Sequence, residues 1–492
     1  MLTTALISFL TGSISTRMLA AHVKKNGFDA ICVFFPEDSN SANLAALIEL
    51  LKEKNVGLVG VSLVTDNYRA AVALTRAIKE KLKVPVVWGG AHVNVRPDEC
   101  LQHADMVCLG EGEDAFLELV QSCSEGTLDL SIRNIWFNSE NGIVRNDLRG
   151  LEESLDAYPF SDLDPATQFV ISAGGVEQLA EKHIQGDYGI MTSRGCPYSC
   201  HYCYNSYRRK QYKGKGRYLR ARSIENVIEE LVLAKKTFPN LSRINFWDDS
   251  FVARKLDDFK IFKKLYREKI GLPFFALIEP MAFDFEKIKM LREAGLAALQ
   301  VGIQTGSERV NREVYNRNIS NRKVIEVTKQ IRELGIDVTY DVIFNNPYET
   351  EQDVAETVKL FLQFPQPAFL QGFNLIFYPG TEITDRALRD GFVSAKGAAE
   401  DFSTIEGRQN TPSAISGGKA EISGRFYRFN YTTDGKEYWN TVLSLFALLH
   451  VPRALLLFFG CSKSSAKELL LRGFVRTYAL AHVIKSMVMP HE

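Results

Sequence analysis

The sequence predicts an α/β protein made of two successive βα series, and three observations predict it. Residues 1 to about 125 alternate short, continuous apolar runs with amphipathic stretches, the pattern of a parallel sheet covered on both faces. A second series of the same kind begins near Gly186 and continues to about residue 392. Between its first strand and first long helix lies a loop with three cysteines, Cys196-Pro197-Tyr198-Ser199-Cys200-His201-Tyr202-Cys203. The expected division is an N-terminal doubly wound, Rossmann-like sheet over 1–130, a connector over 131–185, six βα units as a partial (β/α)6 barrel over 186–392, and a small, mainly helical region over 393–492.

In the first series, strands are expected near Thr4–Phe9, Ala30–Phe35, Gly57–Leu63, Val84–Trp88 and Met106–Leu109. The stretch Asn67 to Lys81 places Tyr68, Ala71, Val72, Leu74, Thr75 and Ile78 on one helical face. Ligands of doubly wound sheets bind at the carboxyl ends of the strands. Three loops stand there: Ser62-Leu63-Val64-Thr65, Gly89-Gly90-Ala91-His92 and Gly110-Glu111-Gly112-Glu113. Their glycines permit close backbone approach to a ligand, although Gly89 and Gly90 could equally make a tight turn. The connector carries a hairpin signal at Glu140-Asn141-Gly142.

In the second series, strand-like runs fall at Tyr188–Thr192, Arg243–Trp247, Phe274–Ile278, Ala298–Ile303, Asp337–Phe344 and Gly372–Phe377. Helical patterns lie between them, as over Ile224 to Lys235 and Phe285 to Ala294. In such barrels chemistry is carried at the carboxyl strand ends. Adjacent carboxylates Asp248 and Asp249 end the second strand, where they can accept an ammonium group. Gln304, Thr305 and Ser307 end the fourth, followed by Arg309, Arg312 and Arg317. Beyond residue 395 the chain turns small and polar from Gly397 to Gly418, then strongly apolar from Val442 to Phe459. That tail reads as a helical region with its own core, or as a lid over an apolar or polycyclic substrate.

Composition narrows the function. With 59 basic and 59 acidic residues, no global field points to nucleic acid or an anionic membrane. The segment Arg208 to Arg222 is basic, with Tyr212 and Tyr218 interleaved, which would suit a single-stranded RNA. No appended RNA-binding domain accompanies it, so nucleic acid is not expected as a partner. No uninterrupted apolar run reaches membrane-spanning length, and the N-terminus lacks a basic leader, so a cytoplasmic location is expected.

The cysteines have C-x-x-x-C-x-x-C spacing. A [4Fe–4S] cluster normally takes four thiolates, so three leave one iron open to a ligand. A zinc site built from the same cysteines and His201 is the competing reading, but zinc sites usually pair two separated hooks. The remaining five cysteines, of eight, are scattered.

The cysteine loop resembles that of the radical S-adenosylmethionine (SAM) superfamily. The pair Val86-Val87-Trp88-Gly89-Gly90-Ala91-His92 and Asp105-Met106-Val107-Cys108-Leu109-Gly110-Glu111-Gly112-Glu113 resembles the cobalamin-binding domain that precedes the catalytic barrel in one large radical SAM class. That class includes class B methyltransferases and relatives of the anaerobic magnesium-protoporphyrin ester cyclase. The resemblance covers about residues 1 to 390. It implies a [4Fe–4S] cluster on Cys196, Cys200 and Cys203, with SAM on the open iron. Tyr202 would meet the adenine through its backbone, Asp248 or Asp249 the methionine ammonium, Gln304 a ribose hydroxyl, and Ser307 would join the SAM site. Gln304 and Thr305 depart from the family's usual Glu and Ser.

Cobalamin would be bound by Ser62, Thr65, Gly89, Gly90, His92, Gly110, Glu111 and Gly112. The D-x-H-x-x-G motif of other cobalamin proteins is missing, so base-off binding without a histidine ligand is implied. His92 is expected to pack or hydrogen-bond near the corrin, with a role as cobalt ligand the alternative. The implied reaction is hydrogen abstraction from an unactivated carbon by a 5′-deoxyadenosyl radical, followed by methyl transfer from methylcobalamin. A small-molecule substrate and an external flavodoxin- or ferredoxin-like electron donor are implied with it.

Three rivals remain. One is cyclisation, rearrangement or oxidation with the same cofactors. A second is a methylthiotransferase, whose further cysteine cluster Cys32, Cys100, Cys108 and Cys123 do not form. The third is a zinc-stabilised cobalamin or nucleotide carrier.

Overall fold

The computed structural model describes residues 2–35, 40–366, 368–393 and 453–464, with 436, 439, 442, 443, 467, 470 and 471. The expected polar loop at 397–418 and residues 444–452 of the expected apolar run lie outside the described residues. The chain forms two compact units. The first comprises Met1–Pro197, Tyr204–Ala276 and Glu293–Gly295, and the second Tyr198–Cys203, Leu277–Arg292 and the chain from Leu296 onward.

The first unit is built on a nine-stranded sheet. Its strands are β1 (Thr3–Ser8), β2 (Asp29–Phe34), β3 (Val56–Ser62), β4 (Val86–Gly89), β5 (Met106–Cys108), β6 (Ile135–Ser139), β7 (Gly142–Arg145), β8 (Gln168–Ser172) and β9 (Gly175–Gln178). Their order is β7-β6-β5-β4-β3-β1-β2-β8-β9. The five expected strands form the parallel centre, each within about two residues of its sequence-predicted position. Residues 131–185 do more than connect: β6 and β7 pair antiparallel beyond β5, and β8 pairs parallel beyond β2. The hairpin turns at Glu140-Asn141, with Gly142 at φ +105°. Two apolar layers flank the sheet, one around Ile7, Val33, Val61 and Trp88, the other around Leu6, Phe34, Met106 and Phe116.

The same unit holds β10 (Asp187–Ile190), the two-residue strands β11 (Ser193–Arg194) and β12 (Arg220–Ala221), β13 (Arg243–Phe246) and β14 (Phe274–Ile278), the last of which ends in the second unit. Strands β10, β13 and β14 pair in parallel, and β11 pairs antiparallel with β12. An aromatic layer of Phe246, Phe251, Phe262, Tyr266 and Phe274 packs with ring centroids 4.6 to 6.4 Å apart and seats the helix Leu256–Lys269.

The second unit carries β15 (Leu296–Gln304), β16 (Asp337–Phe344) and β17 (Phe369–Asn374), paired in parallel. The sixth barrel strand thus starts three residues before its sequence-predicted position. Leu299, Val301, Ile303 and Tyr340 bury one face, Tyr340 against Phe361 and Phe364. Gln300, Gly302, Gln304, Thr339, Asp341 and Gln371 alternate onto the other. The helix Arg453–Gly460 sits on the helix Glu351–Phe361, and a Cβ on Gly460 would lie 2.7 Å from Leu362. No helix among the described residues is long and apolar enough to cross a membrane.

Candidate functional site

The cysteine loop leaves β11 through Gly195, at φ +89°. A Cβ there would lie 2.6 Å from the carbonyl oxygen of Tyr218, so only glycine makes this turn. Cys196 is buried, and its carbonyl accepts from the Arg209 guanidinium, which lies over the Tyr218 ring. In the second unit, the Cys203 amide donates to the Cys200 carbonyl at 3.1 Å. His201 exchanges backbone bonds with Tyr315 and Ile383, and its Nδ1 lies 3.1 Å from the Val314 carbonyl. Tyr202 packs edge-on against Tyr315, with centroids 5.0 Å apart.

Arg317 is buried beside Tyr202 and Cys200. It donates to the carbonyls of Gly302 and Ile303 at 2.6 and 3.4 Å and to Tyr202 Oη at 3.3 Å. Burial raises the Cys200 thiol pKa, and the Arg317 charge opposes that rise. Arg309 and Arg312 instead pair with Asp353 and Glu313. Among the described residues no disulfide forms, and no three His, Cys, Asp or Glu side chains converge on a single-ion site.

The two adjacent carboxylates have opposite surroundings. Asp248 is buried, and its Oδ1 accepts from the Thr192 amide at 3.0 Å, from Thr192 Oγ1 at 2.9 Å and from Ser193 Oγ. It therefore ties down the strand leading into the cysteine loop. Asp249 is exposed and accepts from the Gly195 amide at 3.2 Å and from Asn205 Nδ2 at 2.7 Å.

Near the loops at the ends of β3, β4 and β5 lies Glu111, the centre of a buried charge cluster. Its carboxylate receives Arg194 at 2.8 Å, Arg208 at 3.4 Å and Arg220, while Arg194 also pairs with Glu113. Burial would raise its pKa, but Arg194, Arg220 and Arg208 together bring it to about 2. The Glu111 amide donates to Tyr212 Oη at 2.7 Å. The basic segment Arg208 to Arg222 is thus partly spent on internal ion pairs, with Arg222 paired to Glu230 as well.

Gly90 and Gly110 have φ of +103° and +73°, and added Cβ atoms would meet the Leu63 carbonyl oxygen at 2.4 Å and Tyr212 Oη at 2.0 Å. Gly112 caps the helix Glu113–Ser124. Ser62 is half-buried, with Oγ 3.5 Å from Ser15 Oγ. His92 is buried, its Nδ1 3.2 Å from Thr65 Oγ1 and its ring tilted against Tyr68. Burial, helped by Arg96, lowers its pKa to about 4, so the ring is neutral at pH 7.

Gln304 ends β15 at φ +71°, beside a register shift at Gly302. Ser307 is fully buried as the N-cap of the helix Glu308–Glu313 and donates to Asp353 at 2.6 Å.

These features match two family models. Residues 3–120 match the B12 binding domain, and residues 190–361 match the radical SAM superfamily. The chain thus carries the two domains of the cobalamin-binding radical SAM enzymes. It is 28% identical over 381 residues to an uncharacterized methyltransferase of Pyrococcus horikoshii, covering 76% of this chain and 78% of that one. It is 23% identical over 450 residues to the cytidylyl-2-hydroxyethylphosphonate methyltransferase of Streptomyces wedmorensis, covering 80% and 79%. Its fold is similar to that of the radical SAM methyltransferase TsrM from Kitasatospora setae, solved with tryptophan and a SAM analogue. The TM-score is 0.65 at 18% identity, with 79% of this chain and 76% of that one covered.

The donors in this radical SAM enzyme fit the cofactors of its family. Three soft thiols share one loop, and a buried guanidinium beside Cys200 offsets thiolate charge. An added Cβ on Gly89 meets nothing closer than 3.9 Å, so the backbone there can approach a ligand. Sequence reasoning missed Asn94. Its side chain donates to the Gly90 carbonyl at 2.9 Å and accepts from the Gly110 amide at 2.6 Å, and its carbonyl receives Tyr207 Oη at 2.7 Å. A lone asparagine in a short helix carries no signal of such a role. Sequence reasoning also missed the Glu111–arginine cluster, whose partners lie 83 to 109 residues away.

Proposed function

We propose that this chain is a cobalamin-dependent radical SAM C-methyltransferase acting on a small molecule. One observation carries the reading: Glu111, from the Gly110–Gly112 turn of the B12 binding domain, is buried among Arg194, Arg208 and Arg220, which flank the cysteine loop. This contact supports a single apparatus in which the ligand end of the first sheet and the Cys196 end of the loop are held together.

Cys196, Cys200 and Cys203 would hold a [4Fe–4S] cluster. When bound, the cluster supplies the electron that opens SAM to a carbon radical, and cobalamin carries the methyl group. Asp249, exposed beside Gly195, is the better candidate than Asp248 for the SAM ammonium. Arg317 is the best placed of the three arginines for the SAM carboxylate, because it alone lies beside Tyr202 and Cys200. Gln304 would take a ribose hydroxyl through its amide. Ser307 is read as a helix cap that shapes this turn. Ser62, Thr65, Gly89, Gly90, Gly110 and Gly112 would line the cobalamin. His92, held to Thr65 through Nδ1, would pack beside the cobalamin.

The test is anaerobic reconstitution with iron, sulfide and hydroxocobalamin, followed by SAM and a reductant such as flavodoxin. Formation of 5′-deoxyadenosine is expected, with loss of at least a thousandfold in each of C196A, C200A and C203A. Production retained in those variants would overturn the reading. A product heavier by one labelled methyl group from SAM separates methyl transfer from cyclisation or rearrangement.

A further inference from the structure

The polar face of β15, β16 and β17 carries a carboxylate whose charge the protein leaves open. Asp341 is only 9% exposed, and its register partners are Gly302 on β15 and Gln371 on β17. Its neighbour Tyr340 faces the opposite way, into Phe361 and Phe364, so Asp341 projects from the face that bears Gln300, Gln304 and Gln371. Gln300 Nε2 donates to both Asp341 oxygens, at 2.9 and 2.8 Å. Among the described residues no Lys, Arg or His stands within ion-pair distance of it; Arg317 acts on it only through its field.

A buried carboxylate held by one neutral amide is an incomplete site. Ionised carboxylates are buried when paired with a cation or with several donors, and Asp341 has neither within the unit. Its strand face is polar and half-buried at Gln300, Gln304 and Gln371, so a balancing cation would have to come from a ligand. We propose that Asp341, oriented by Gln300, receives a basic nitrogen of the substrate, which makes the substrate class an amine. This rests on the reading of the chain as a small-molecule radical SAM enzyme, and it deepens that reading. Burial raises the Asp341 pKa to about 7 in the absence of such a cation, consistent with a carboxyl that ionises fully on meeting one.

The same ammonium chemistry exists in SAM itself, so the test has two arms. The reconstituted full-length enzyme is titrated calorimetrically at pH 8 with benzylamine and with benzyl alcohol, and separately with SAM. The expected result is benzylamine binding at least tenfold tighter than benzyl alcohol. In D341N that preference should disappear, with the SAM affinity kept within twofold. Q300M, which removes the orienting amide, should lose part of the preference and serves if D341N fails to fold.

No preference in the wild type, or an unchanged preference in folded D341N, overturns the proposal. A tenfold loss of SAM affinity in D341N assigns the pocket to SAM and overturns the substrate assignment. Formation of 5′-deoxyadenosine by the wild type, measured on the same preparation, tests the underlying reading separately.

Discussion

Glu111 and Asp341 are both buried carboxylates, and they are completed in opposite ways. Glu111 is closed by three guanidiniums and carries its full charge at any pH of interest. Asp341 is met by a single amide and holds its charge poorly. The contrast teaches how to separate a structural clamp from a binding group when burial alone cannot. A clamp has its charge balanced inside the protein, whereas a binding group waits for the ligand to balance it.

The sharpest way to break this comparison is to remove each charge. E111Q leaves Arg208 and Arg220 buried without their carboxylate and Arg194 with Glu113 alone, so a loss on the order of 3–5 kcal/mol is expected. It would be read as a lowered urea midpoint together with lost cobalamin retention. A tolerant E111Q would mean that the cluster is not a clamp.

D248N comes next. Asn keeps one acceptor for Thr192 and Ser193 but loses the charge-assisted bonds, so a cost of roughly 1–3 kcal/mol is expected in thermal denaturation. D341N should be neutral or stabilising by about 1 kcal/mol in the ligand-free protein, because it removes an unpaired buried charge. Its effect should depend on pH in a defined direction. Burial raises the folded carboxyl's pKa from the ordinary value near 4 to about 7, so the folded state holds more protons between these values. Wild-type stability relative to D341N is therefore greatest below about pH 4 and is lost as pH rises through 7. Parallel denaturation series at pH 5 and 8 would check the sign.

The smallest stability change is expected for D249N, within about 0.5 kcal/mol at an exposed position. SAM affinity is the informative readout there: it should fall about tenfold in D249N. Unchanged SAM binding would remove Asp249 from the proposed site.

Much of the fold was legible because it rests on short-range patterns. The five central strands of the first sheet were visible as apolar runs, and the helix Phe285–Ala294 as a 3.6-residue period. The hairpin at Asn141-Gly142 was visible as turn chemistry. What β6 to β9 attach to was not legible, because joining a sheet edge depends on which backbone groups lie unpaired in space. β17 begins earlier than expected because its pairing with β16 starts at Phe369, whereas the longest apolar run, Leu375-Ile376-Phe377, lies beyond its end.

Covalent spacing fixes part of the chemistry: three thiols on one loop, glycines at three strand ends, and adjacent carboxylates after a strand. Tertiary structure alone decided which charges are balanced. Asp248 and Asp249 are neighbours in the chain, yet strand geometry buries one against Thr192 and exposes the other beside Gly195. Glu111 finds arginines up to 109 residues away, and Asp341 finds only an amide 41 residues away. The physical reason is that a charge's energy is set by its solvent exposure and its neighbours within a few ångströms, and both are properties of packing that no local pattern encodes.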